Sequence, residues 1–127
     1  MYRIGVTRRF DAAHRLEGHP GPCSRLHGHT WAVEAVYSSQ EVGSGAMVLD
    51  FGDARRMLDE VIEKYDHRCL NEIPPFDTER PTAENVARVV YTGLLAGLER
   101  GGHPVNLVRV TVWESAETWA SYGDTAG

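Results

Sequence analysis

Cys23-Ser24-Arg25-Leu26-His27-Gly28-His29-Thr30-Trp31-Ala32-Val33-Glu34-Ala35-Val36-Tyr37 is the stretch on which the fold of this chain turns. From His27 onward every second residue (His27, His29, Trp31, Val33, Ala35, Tyr37) falls on one face of an extended strand, because successive strand side chains alternate sides. The strand predicted over 27–38 therefore aims both imidazoles at one place. Gly28 between them lets another segment or a ligand approach the backbone closely. Neutral imidazoles are common ligands for zinc near neutral pH, so the pair is a candidate metal site.

Working outward, residues 2–14 alternate in the same way, with Ile4, Val6, Phe10, Ala12 and His14 sharing a face. If the two strands pair as antiparallel neighbours, His14 converges with His27 and His29. Three protein ligands leave a fourth tetrahedral position open, the pattern of a catalytic zinc. Cys23 is the alternative: as a fourth ligand it would close a Cys-His₃ structural site in a non-catalytic, zinc-stabilised binding module. Gly18-His19-Pro20-Gly21 is a turn, and the polar, glycine-rich run from Gln40 to Ala46 reads as a hairpin connection.

Past that run the period changes. Ala54, Leu58, Val61, Ile62 and Tyr65 form a stripe at helical spacing that Asp53 is placed to cap. A second helix begins at Thr82, after Pro81, buries Val86, Val89, Val90, Leu94 and Leu98, and stops at Gly101-Gly102. Residues 105–114 and 118–122 return to strand, and the tail from Gly123 to Gly127 reads as frayed. The predicted order is β-β-α-α-β-β: an α+β domain whose antiparallel sheet is covered on one face by two helices.

With 127 residues, 42% hydrophobic, the chain fits one domain, residues 1–127. The net charge of −5 argues against a general nucleic-acid binder. Arg3, Arg8, Arg9, Arg15 and Arg25 nevertheless make the first strand and loop locally basic, which suits a small anion. Two cysteines, Cys23 and Cys69, make no disulfide framework. No segment has the apolar length of a signal or a membrane span, so a soluble, cytoplasmic protein with no membrane partner is expected.

Together, Phe10-Asp11-Ala12-Ala13-His14-Arg15-Leu16 and Cys23-Ser24-Arg25-Leu26-His27-Gly28-His29 resemble the 6-pyruvoyl-tetrahydropterin synthase family, most closely its 6-carboxy-tetrahydropterin synthase branch. The resemblance continues through Met47 to Asp53, Asp66-His67-x-x-Leu70-Asn71, Pro81-Thr82-Ala83-Glu84-Asn85 and Val112-Trp113-Glu114. It implies the tunnelling fold and a zinc ion on His14, His27 and His29. It implies Cys23 as catalytic base, Asp66 and His67 as its proton relay, and Glu114 holding the pterin, with a backbone contact from Thr82 or Ala83. The implied reaction converts 7,8-dihydroneopterin triphosphate to 6-carboxy-5,6,7,8-tetrahydropterin with release of acetaldehyde and triphosphate, towards queuosine and related deazapurines. The pyruvoyl branch, which eliminates triphosphate and keeps the side-chain carbons, would use the same groups. The resemblance also implies a homo-oligomer, a hexamer or related assembly, with sites shared between subunits. Arg8, Arg9, Arg15 and Arg25 are the candidates for the triphosphate. One departure stands at Ser115-Ala116-Glu117-Thr118-Trp119, where many relatives carry Thr-Pro-Thr.

Overall fold

The computed structural model describes residues 1–43 and 45–123. Ser44, within the connection read as a hairpin turn, and residues 124–127, read as a frayed tail, lie outside the described residues.

Strand β1 (Tyr2–His14) pairs antiparallel with β2 (His27–Ser39), and helix α1 (Phe51–Ile62) follows. A two-residue strand β3 (Arg68–Cys69) precedes helix α2 (Ala83–Gly101), and β4 (Asn106–Trp113) and β5 (Trp119–Gly123) close the chain. The sheet order is β3-β1-β2-β4-β5. The sheet thus differs from the expected four antiparallel strands: β3 adds a fifth, parallel to β1 through Ala12↔Arg68 and Ala13↔Cys69. The segment from Gln40 to Ala46 is no hairpin either, since β2 leads into α1 and its second neighbour is β4.

Strand parity decides which face is covered. Val6, Phe10 and Ala12 of β1 and Trp31, Val33, Ala35 and Tyr37 of β2 are buried in one core with both helices. In β4, Val112 and Val110 stand opposite Val33 and Ala35, and a bulge between Val36 and Tyr37 then brings Leu107 opposite Tyr37. The other face carries Thr7, Arg9, Thr30 and Ala32, which border an open cleft of about 510 Å³.

The helices start and stop where local chemistry dictates. At α1 the cap is Asp50, whose carboxylate accepts the Asp53 N–H at 3.2 Å. Asp53, the expected cap, instead lies in the first turn, where its charge suits the positive end of the helix dipole. Thr82 caps α2 by accepting the Asn85 N–H, and Gly102 ends it with φ of 65°, a left-handed conformation that glycine adopts without a Cβ penalty. A Cβ on Gly93 would stand 3.2 Å from both Val61 methyl groups, so the close crossing of α1 and α2 requires a glycine there. Leu58 is completely buried in the same core. Leu58→Ala is expected to cost about 2–5 kcal/mol of folding stability, read from urea unfolding midpoints. None of the described helices is long and apolar enough to cross a membrane.

Candidate metal centre and active site

The β1–β2 register places His14 directly opposite His27, and Ala12 opposite His29. Parity puts all three imidazoles on the helix-covered face. Their ring centroids lie 4.5 to 5.1 Å apart, and fully buried Trp31 forms the floor. The Trp31 ring meets His14 at 4.9 Å and His29 at 5.6 Å, both edge to face, while its indole N–H donates to the Ala12 carbonyl. Packing against a rigid ring restricts the rotamers of both histidines.

Hydrogen bonds fix the tautomers of two rings. His14 Nδ1 lies 2.7 Å from the Pro81 carbonyl and His27 Nδ1 lies 2.6 Å from the Arg25 carbonyl. A carbonyl only accepts, so each Nδ1 carries the proton and each Nε2 offers a lone pair. Glu114, just beyond β4, completes the cluster: its Oε1 is 3.0 Å from His14 Nε2 and 2.9 Å from His29 Nε2. Ligating atoms of His14, His27, His29 and Glu114 all lie within 4.8 Å of one another. His29 Nε2 is buried and, despite that short approach, makes no aligned hydrogen bond. Burial holds the His29 imidazole below its ordinary pKa; Glu114 opposes the shift, and His14 and His27 add to it. A set of imidazoles converging beside a carboxylate, two of them held by backbone carbonyls, fits a divalent cation.

Cys23 is not part of this cluster. It is half-buried in a short 3₁₀ turn, Pro22–Ser24, and its carbonyl accepts the Leu16 N–H. The fourth side chain beside the three imidazoles is Glu114 and not the thiol. Glu114 also borders a cleft of about 200 Å³ with Ala83, Glu84, Thr118, Trp119 and Ala120. The Thr82 hydroxyl is committed to its cap.

Asp66 and His67 lie elsewhere. His67 Nδ1 is 2.9 Å from Asp66 Oδ1, and both side chains gather around Asp11. The Asp11 N–H donates to Asp66 Oδ1, its carbonyl accepts the His67 N–H, and its carboxylate accepts the Thr30 hydroxyl. The bond from the Asp11 amide, ahead of the contact with His67, holds the Asp66 carboxyl below its usual range. Asp11 and Thr30 have the opposite parity to His14 and His29, so this group occupies the uncovered face. Asp11, Thr30 and His67, with Gly28, Arg68 and Cys69, line a second cleft of about 510 Å³. Asp11 is not among the site residues expected from the sequence; its place between the apolar Phe10 and Ala12 is the one signal of it there.

Two of the candidate anion-binding arginines are otherwise engaged. Arg8 forms a forked pair with Asp59 of α1, at 3.0 and 3.2 Å, and Arg15 pairs with Glu17 at 3.0 Å. Arg9, on the uncovered face, and Arg25, two residues before His27, have no ion-pair partner among the described residues.

The sequence model for 6-pyruvoyl tetrahydropterin synthase matches residues 3–125. An Archaeoglobus fulgidus protein, provisionally named a 6-carboxy-5,6,7,8-tetrahydropterin synthase, is 39% identical over 117 residues, covering 92% of this chain and 91% of its own. The dihydroneopterin monophosphate aldolase of Pyrococcus furiosus is 34% identical, covering 91% of each chain. The solved structure of Caenorhabditis elegans 6-pyruvoyl tetrahydropterin synthase superposes with a TM-score of 0.85 at 23% identity, over 98% of this chain and 96% of that one. The tunnelling fold of that structure is the fold seen here, and the chain belongs to the 6-pyruvoyl tetrahydropterin synthase family.

Proposed function

We propose that the chain is a zinc-dependent lyase that takes 7,8-dihydroneopterin triphosphate and water to 6-carboxy-5,6,7,8-tetrahydropterin, acetaldehyde and triphosphate. The observation that carries this reading is the convergence of three imidazoles, two of them held by backbone carbonyls with Nε2 turned inward. Zinc on His14, His27 and His29 would supply a Lewis acid that acidifies the C–H and O–H groups of the substrate's hydroxylated side chain.

The protein groups then divide the remaining work. Cys23, four residues before His27, is the base, and its thiolate is the form that accepts the substrate proton. Asp66 orients His67 through Nδ1 and leaves Nε2 to exchange the proton. Because this pair sits on the uncovered face, it serves the site of a neighbouring subunit, and a homo-oligomer, a hexamer or related assembly, is the working form. Glu114 accepts the 2-amino and N3 hydrogens of the pterin in the cleft it shares with Ala83. Arg25, two residues before His27 and without an ion-pair partner among the described residues, and Arg9 are the groups left to meet the triphosphate. The product would enter queuosine or another deazapurine pathway in the cytoplasm.

A second reading is favoured by the 34% identity to the monophosphate aldolase: retro-aldol cleavage of dihydroneopterin monophosphate at the same centre. Mass spectrometry of products after incubation with each phosphate separates the two. A 6-carboxypterin species with acetaldehyde, from the triphosphate only, is expected. Turnover of the monophosphate alone would transfer the assignment to the aldolase, a 6-pyruvoyl product to the pyruvoyl branch, and no product from either would defeat the enzyme reading.

A further inference from the structure

We propose that Asn85 is a positioning residue for the metal centre, acting through the Arg80–Pro81–Thr82 strap on His14; this rests on the reading of the three histidines as metal ligands. His14 is completely enclosed, and among the described residues its Nδ1 has the Pro81 carbonyl as partner, at 2.7 Å. That carbonyl decides which ring nitrogen is free for a metal. Pro81 has no N–H with which to anchor itself, so its position depends on its neighbours.

Asn85, in the first turn of α2, grips the strap on both sides. Its side-chain Nδ2 donates to the Arg80 carbonyl at 2.8 Å, and its backbone N–H donates to the Thr82 hydroxyl at 3.1 Å. The side-chain bond has the opposite polarity to a capping box. There the third helical residue is Glu or Gln and reaches back to a backbone N–H near the cap. Here that position must donate to a carbonyl, which a carboxylate cannot do. The choice of Asn at position 85 therefore follows from the strap and not from the helix start. Outer partners of this kind typically change metal affinity by about 10–100-fold.

The test is a titration of Zn²⁺ against a chromophoric chelator with the parent chain, Asn85→Ala and Asn85→Asp, beside the melting temperature of each metal-free protein. Asn85→Asp keeps a residue favourable at a helix N-terminus and replaces the donor by a charged acceptor of the same shape, so it carries the test if Asn85→Ala fails to fold. Zinc affinity should fall by about 10-fold or more in both variants, while the metal-free melting temperatures stay within a few degrees. Variants that bind zinc as tightly as the parent overturn the inference, as does a loss of melting temperature with unchanged affinity of the folded protein. A parent chain that takes up no zinc removes the metal reading and the inference together, which distinguishes that failure from the first.

Discussion

His27→Ala is expected to leave the domain folded and to lose its metal, with turnover falling by about 10³-fold or more. The magnitude follows from several kcal/mol of transition-state stabilisation lost with a Lewis acid, at about 1.4 kcal/mol per tenfold in rate. His27 suits this experiment better than His14. The His14 ring is completely buried, bonded to the Pro81 carbonyl and packed beside Glu114, so its removal mixes a packing defect with the loss of a ligand. Among the described residues, the His27 ring hydrogen-bonds only to the nearby Arg25 carbonyl, and it is half-buried at the start of β2, where the connection from β1 arrives. Metal content by atomic emission, circular dichroism and product formation should be measured on one preparation. A variant that keeps stoichiometric zinc and full turnover would remove His27 from the centre.

Cys23→Ala should do the reverse: zinc and fold survive while turnover drops by about 10²–10⁴-fold, the range for a lost general base. The convergence of His14, His27, His29 and Glu114 motivates this, because the thiol is not among the groups that meet there. Loss of zinc or unfolding in this variant would instead support the Cys-His₃ binding module. The same variant tests the sharing of sites. Co-expressed with inactive His67→Ala chains, it should regain activity in mixed oligomers, to about a quarter of the parent if chains mix at random in a symmetric assembly. Two inactive variants that never complement would place Cys23 and His67 in the same site of one chain.

Much of this was legible because two periods run cleanly through the chain. β1 was readable to the residue from its alternation, and α2 from Thr82, its apolar stripe and the terminal glycines. The His27-Gly28-His29 spacing, with His14 in phase, gave the cluster before any contact was known. β3 was not legible, because two residues have no period to detect and its pairing depends on β1 being alongside. The cap of α1 was misplaced because Asp50 and Asp53 are equally good capping types in sequence, and only the turn geometry separates them. Glu114 could be named by resemblance, but its approach to His14 spans 100 positions and is a product of the β2–β4 register. The side of the sheet taken by Asp66 and His67 was equally hidden. It depends on a positive φ of 59° at His67 and on the paired backbone bonds to Asp11, neither of which leaves a pattern.

The pairing of His14 with His27 across β1 and β2 has a consequence for how the chain folds. Twelve residues, 15–26, connect these strands, too many for a tight turn to fix their alignment. A slip of one residue on either strand would send that strand's histidines to the opposite face. The metal can then be gripped only by a hairpin in the correct alignment. With zinc at the proposed site, ion capture would act as a proofreading step on strand alignment: zinc supplied during refolding should raise the yield of native protein, beyond any protection it gives afterwards.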